Sequence, residues 1–453
     1  MSIWPPTWQA PWRPSLTPAP TTCCAWASHV NSAYRSRTDC SRTDCSSTDR
    51  PRTDPKDIDD AADPTRRPLK LAAETGTALA PLAADVDAGR ADGHEAYHIL
   101  RDSGLLALLV PQEAGGAGVG FGDYWRVLAE LGAHNGAAAL GFNMHHVVIG
   151  ALADAVGTRL PPAAETFRSW MLDEVVNGRK LFASATSEAG RGAKLRGLQT
   201  RYRLAGDGTH YVLSGRKSFV SLAGAADYYV VAAAADGIED TGEVSHFVVA
   251  ADDPGVGFST VHHMSAMYGT STAAMTLDEV PVPRSRLYLG VEGMSLFKVV
   301  REPHWMVAGY TGAYLGIAEA LFRYTVDHVT AARGRADSPV VHQDLGRMSA
   351  RLRAARALVH EAGDLVATQR GSLEANAMVH AAKYVVGEVG PQLAQDALRL
   401  CGSAAVSRSH PLERLIREAS FAHVMPAKPQ ECLEYLGKAA VGVNLYDARA
   451  FAW

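Results

Sequence analysis

Four short stretches of this 453-residue chain hold side chains that could do chemistry. SATSEAG, residues 184–190, sets hydroxyls beside a loop whose amides are free to donate. KSFVS, residues 217–221, alternates polar side chains with Phe219 and Val220; taken alone, that is a half-buried strand. REPH, residues 301–304, puts a carboxylate, Glu302, two positions from an imidazole, His304. Either could accept a proton. Glu302 before Pro303 also reads as a helix-start carboxylate, and His304 as a packed histidine. GFNMHHVV sets His145 and His146 in an apolar helix. No cysteine or carboxylate accompanies them, so a satisfied core histidine is the plainer reading and no metal is expected.

The composition frames what these groups can serve. Apolar residues make up 47% and charged residues 20%, as in ordinary globular proteins. A formal charge of −4 gives no field for nucleic acid or an anionic membrane. No uncharged apolar run of 18 residues is read, so no transmembrane helix is expected. The first 27 residues lack a basic start followed by a long apolar run, which argues against a secretory signal. Of six cysteines, Cys23, Cys24, Cys40 and Cys45 lie near the start, and only Cys401 and Cys432 lie in the body. That usage fits a reduced, cytoplasmic protein.

Residues 1–66 stand apart. A Thr-Asp pair recurs every five residues at Thr38, Thr43, Thr48 and Thr53. A period of five fits neither helix nor strand, and such a polar segment cannot bury enough surface to offset its ordering entropy. A disordered tail is expected. Residues 67–178 show helical spacing, as in HEAYHILRDSGLLALLV, with a Pro-then-Gly break at PQEAGGAGVG. Residues 179–292 switch to a period of two, with a hairpin signal at Asp207-Gly208, and predict a small antiparallel β-barrel. Residues 293–453 return to long amphipathic helices and predict a bundle. The fold class is α+β.

That order, with its signposts, resembles the acyl-CoA dehydrogenase superfamily of flavoproteins over roughly residues 70–450. The signposts are GLLALLVPQEAGGAGVG, SATSEAGRGA, LSGRKSFVSLAGAADYYVV, YGTSTAAMTLDEVPVPRSRL and PLERLIREASF. The resemblance implies an N-terminal helical domain, a middle β-barrel and a C-terminal four-helix bundle. It implies FAD bound between barrel and bundle, an acyl-CoA or acyl-carrier-protein substrate, and an electron-transfer partner or O₂. It also implies a homodimer or homotetramer; neither nucleic acid nor membrane is expected as a partner. Ser187 matches the family's hydroxyl near the pyrimidine end of the flavin. Phe219 matches the aromatic residue, usually Trp, on the ring, and Ser221 the hydroxyl, usually Thr, near N5. A flavin ring needs such an apolar wall and such donors. Arg333 and Gln343 remain from the family's pyrophosphate region, but the Phe-Gly between them is gone. Of the family's Gln-x-x-Gly-Gly adenine loop only Gly402 is kept, and Arg399 stands in the first place.

The base departs further. The parent reaction passes an α-proton to a glutamate and a β-hydride to the flavin. Counting on from Arg417-Glu418, the glutamate position falls at Pro426, which has no proton-accepting side chain. The family's second location, at the start of the first long bundle helix, falls at Met306 or Val307. Three replacements are near: Glu302, one turn before Met306; His304; and Glu431, which also reads as a solvated face. The Glu302–His304 pair is the expected catalytic pair. Three functions compete. They are a thioester dehydrogenase with a relocated or absent base, a flavin monooxygenase or carbanion-type elimination or cyclisation enzyme, and a non-catalytic flavin binder. Survival of Ser187 and Ser221 speaks against the last.

Overall fold

The computed structural model describes residues 66–155, 160–237, 243–332 and 334–451. The expected tail lies outside these residues except for Arg66, where the first helix begins.

Five helices open the fold: α1 (Arg66–Asp87), α2 (His94–Asp102), α3 (Phe121–His134), α4 (Gly136–Ala153) and α5 (Pro162–Val176). The helical spacing of HEAYHILRDSGLLALLV does not continue as one helix. Gly104 takes φ 82° after α2, and Leu105–Ala107 form a separate 3₁₀ turn. α4 corrects the membrane reading: its 18 residues carry no Asp, Glu, Lys or Arg, and it is long and apolar enough to cross a membrane. Here 78% of it is buried inside the fold, as the core helix of a globular assembly.

Seven strands follow: β1 (Phe182–Ala185), β2 (Arg201–Leu204), β3 (His210–Val220), β4 (Tyr228–Ala235), β5 (Val244–Ala250), β6 (Val256–Phe258) and β7 (Ala273–Pro283). They form one curled sheet, and it is mixed rather than purely antiparallel. β1 and β2 both pair with β4 in parallel, and β5 pairs with it antiparallel. The reason is legible in β4 itself. YYVVAAAA is a nearly continuous apolar run, which suits a central strand buried on both faces. The three-residue β6 is too short to leave an alternation in the sequence.

The chain then returns to helices: α6 (Ser295–Arg301), α7 (His304–Ala308), α8 (Thr311–Ala331), α9 (Pro339–Gln369), α10 (Leu373–Cys401), α11 (Pro411–Ser420) and α12 (Pro429–Ala440). α8 meets α3 backbone to backbone. A Cβ on Gly316 would sit 2.0 Å from the Ala129 carbonyl oxygen, and one on Gly312 2.5 Å from that of Trp125. α8 also runs antiparallel to α4: Gly309 abuts Val147, and Gly136 abuts Ile317. These close approaches tie the late helices to the early ones, so α4 spans the interior between sheet and bundle.

Candidate active site

The loop that carries Ser187 meets the end of β3, which carries Phe219 and leads to Ser221. The Ser187 carbonyl accepts from the Ser218 amide at 2.8 Å, which sets the SATSEAG loop against the end of β3. Phe219 is 59% exposed, unusual for a large apolar side chain; one neighbour is the His262 ring, 4.9 Å away between centroids. Beneath this junction Glu188 and Lys217 are buried and paired at 2.8 Å. Glu188 also accepts from the Gln199 amide at 2.7 Å and from the Thr200 amide and hydroxyl at 3.0 and 2.7 Å. Burial pushes the Glu188 carboxyl up, but Lys217 and these donors outweigh it and hold it below the usual range. Burial pushes the Lys217 ammonium down to about 8, against the pull of Glu188.

The site continues through residues the sequence did not single out. Ser221 and Thr272 hydroxyls lie 3.0 Å apart, Thr272 and Thr270 2.8 Å apart, and Thr270 donates to the Met267 carbonyl at 2.8 Å. Three non-glycine residues around this chain hold positive φ: Leu222 (64°), Met267 (60°) and Ser271 (48°). Such conformations cost energy and persist where the surroundings over-determine them, often at functional sites. The segment is anchored from behind: Tyr97 donates to the Gly269 carbonyl at 2.7 Å, and a Cβ on Gly269 would lie 3.2 Å from Ala137.

His145 is a clip between layers. Its Nδ1 accepts from the Phe182 amide at 3.1 Å, so Nε2 donates to the Leu106 carbonyl at 3.0 Å. Burial pushes it down to about 4, which keeps it neutral.

Glu302 and His304 are placed elsewhere. His304 is buried, with Nε2 2.7 Å from Asp154 just past α4. Trp305 Nε1 donates to the same carboxylate oxygen at 2.6 Å, and Arg370 reaches the other at 3.1 Å. Glu302 caps the end of α6, 3.8 Å from Arg370. The strained Gly269 turn packs on Ala137, and Asp154 lies 17 residues along α4, about 25 Å along the axis. The Gly269 turn and the His304–Asp154 contact therefore lie at opposite ends of α4. Glu431 accepts from the Lys428 amide at 2.7 Å and caps α12. Val307 is buried and Met306 half-buried.

The residues expected at the pyrophosphate and adenine end lie on α9 and at the end of α10, as far as they are described. Arg333 lies outside the described residues. Gln343 is exposed on the first turns of α9, and Gly402 ends α10 with φ 56°. Arg335 donates to the Leu400 carbonyl and so draws the approach to α9 towards the end of α10.

A buried lysine, Lys383, touches both segments from which the family's base would come. Its Nζ donates to the Ala422 carbonyl at 3.1 Å, four residues before Pro426, and lies 5.6 Å from the Tyr310 ring centroid. Burial pushes it down to about 8, against an upward pull from Cys432 and Glu431. An unfolded lysine titrates near 10.4. Between pH 8 and about 10.4 the unfolded chain therefore holds a proton that the native state has released, and stability rises with pH. Wild type is expected to gain up to about 3 kcal/mol on Lys383→Met across that window, read by urea unfolding at each pH. A constant difference would show that Lys383 titrates normally.

The acyl-CoA dehydrogenase N-terminal, middle and C-terminal domains match residues 71–159, 183–280 and 304–425. The chain belongs to the acyl-CoA dehydrogenase family. It is 26% identical to cyclohexane-1-carbonyl-CoA dehydrogenase of Syntrophus aciditrophicus over 384 residues, 83% of this chain and 94% of that protein. Butyryl-CoA dehydrogenase of Megasphaera elsdenii superposes with a TM-score of 0.73 at 23% identity, over 85% of this chain and all of that one. The FMN-bound dibenzothiophene monooxygenase of Paenibacillus sp. A11-2 superposes with a TM-score of 0.73 at 21% identity, over 83% of this chain and 97% of that one. The residues present are compatible with a flavin of this family: Phe219 is an exposed aromatic side chain, two positions before Ser221 and next to Ser218, which binds the Ser187 carbonyl.

Proposed function

We propose that the protein is an FAD-dependent oxidoreductase acting on the α,β-carbons of an acyl thioester, held on CoA or a carrier protein. The exposed Phe219 beside Ser187 and Ser221 supports this reading, together with family membership. Phe219 would cover one face of the flavin ring, and Ser187 and Ser221 would donate to its polar edge. The flavin would supply the two-electron acceptor. Pro426 leaves the family's base position without an acceptor, so the proton leaves by another route. Electrons would pass on to an electron-transfer protein or to O₂, and the subunits would form a homodimer or homotetramer. Anaerobic mixing with thioesters on CoA and on carrier protein is expected to bleach the oxidised flavin band. If none does, this reading fails.

In this proposal the Glu302–His304 pair is a positioning unit that holds α7 through Asp154 and Arg370. Glu302→Gln and His304→Asn proteins are expected to keep their flavin and reduce it within about tenfold of the parent rate. Loss of a true general base would slow reduction by roughly 10²- to 10⁴-fold, and stopped-flow reduction separates the two outcomes.

A second reading rests on Pro426 and on the commitment of Glu302, His304 and Glu431 to other partners. A flavin monooxygenase on this scaffold needs no α-carbon base. Isotopically labelled O₂ should then enter the product, and absence of label would remove this reading.

A further inference from the structure

The loop that carries Ser187 runs on into AGRGAKLRGL, residues 189–198. This stretch holds three cations, Arg191, Lys194 and Arg196, and no carboxylate, in a chain whose formal charge is −4. Arg191 and Lys194 are exposed and Arg196 is half-buried. Among the described residues none of the three has an ion pair. Arg196 Nε is buried and has no hydrogen-bond partner. Asp447 feels the Arg196 charge, but it binds Arg449 at 3.0 Å, and Arg449 does more to hold it below its usual range.

The loop has a fixed shape. Glu188 and Gly192 exchange amide-to-carbonyl bonds at 2.9 and 3.0 Å, and Gly190 and Gly192 turn the chain at φ 75° and 66°. At the far end the Gln199 amide returns to the Glu188 carboxylate at 2.7 Å. Gly197 takes φ 70°, and a Cβ there would lie 2.3 Å from Arg191 Nη1. The Arg191 guanidinium is therefore folded back across the loop, against the residue beside Arg196. Gathering like charges with no anion among them costs energy. Guanidinium forks match phosphate oxygens, which would offset that cost.

The position of the loop indicates which phosphate. Ser187 directly precedes Glu188 and, by the family resemblance, stands at the pyrimidine end of the flavin. The ribityl chain leaves a flavin ring beside that end and carries the phosphate on a short tether. The family's usual phosphate segment is broken here: Phe-Gly is gone between Arg333 and Gln343, and Gln343 is exposed.

We propose that Arg191, Lys194 and Arg196 form the site for the flavin's phosphate groups. The proposal rests on the flavoprotein reading above and adds these residues to the cofactor site.

The test titrates the full chain, freed of flavin, with riboflavin, FMN and FAD, and reads affinity from the change in flavin fluorescence. Only riboflavin lacks a phosphate. Wild type is expected to bind FMN or FAD at least tenfold more tightly than riboflavin. The triple variant Arg191→Gln, Lys194→Gln, Arg196→Gln should lose roughly 10- to 100-fold in affinity for the phosphorylated flavins and none for riboflavin. Arg191→Lys and Arg196→Lys should lose less than the glutamine variants, because the charge remains. High salt should weaken FAD binding more in wild type than in the triple variant. The triple variant breaks no ion pair, so its melting temperature without flavin should match wild type. If it melts early, wild type alone decides: equal salt dependence for FAD and riboflavin refutes the proposal. Unchanged FMN and FAD affinities in a folded triple variant overturn it, and a loss of CoA binding there would assign the cations to the substrate's phosphates instead. If wild type binds none of the three flavins, the flavoprotein reading falls as well.

Discussion

Replacing Glu188 by alanine is expected to cost about 3–5 kcal/mol of stability, the penalty of breaking a buried ion pair by removing one partner. Lys217 would remain with no exposed surface and no carboxylate. Three further donors, the Gln199 amide and the Thr200 amide and hydroxyl, would lose their acceptor. In a chain of this size the loss corresponds to a fall in Tm of about 5 °C. Flavin should be lost as well, because Ser187 immediately precedes Glu188 and the same loop is pinned to β3 through Ser218. The double variant Glu188→Ala, Lys217→Met checks the cause. Removing both charges should recover only the share owed to the uncompensated Lys217 charge, because the Gln199 and Thr200 donors still lack their acceptor. Urea unfolding and flavin absorbance are the measurements. A single variant within about 0.5 kcal/mol of wild type would show that the pair is not structural.

Replacing Asp154 by alanine is expected to cost a similar amount, about 3–5 kcal/mol, for a related reason. One carboxylate serves His304 at 2.7 Å, Trp305 at 2.6 Å and Arg370 at 3.1 Å. His304 and Trp305 are buried, so water cannot readily take over. Burial pushes the Asp154 carboxyl up, but the bonds from His304, Arg370 and Trp305 outweigh it and hold it below its ordinary value. A depressed carboxyl stabilises the fold above its unfolded pKa, near 3.9, and that share is lost as pH falls through the lower folded pKa. The stability gap between wild type and Asp154→Ala should therefore narrow as pH falls below about 4. The flavin site should be spared, because the Gly269 turn beside it packs at the other end of α4. A variant that melts early at pH 7 yet binds flavin with wild-type affinity fits this account. Loss of flavin alongside unchanged melting would refute it.

The sequence by itself determined the order of helices, curled sheet and helices. Each switch between periods of about 3.6 and two is a local property of which side chains must face a core. It also singled out Ser187, Phe219 and Ser221, because those residues sit in recognisable local strings; the Ser218-to-Ser187 bond that brings the two strings together joins residues 31 apart. Pro426 was equally plain: a residue without an acceptor is visible without coordinates. What the tertiary structure decided were relations across the chain. The parallel pairs of β1 and β2 with β4 join segments far apart in sequence. One turn of spacing places Glu302 near Met306, but Asp154, 150 residues from His304, sets where that imidazole points. In the sequence Lys383 stood out in no way, and Glu418 served only to count to Pro426. Only packing shows that one touches the Ala422 carbonyl and the other lines a small cavity. Desolvation is the physical reason: the energy of a charge depends on what surrounds it in three dimensions, and periodicity carries no record of that.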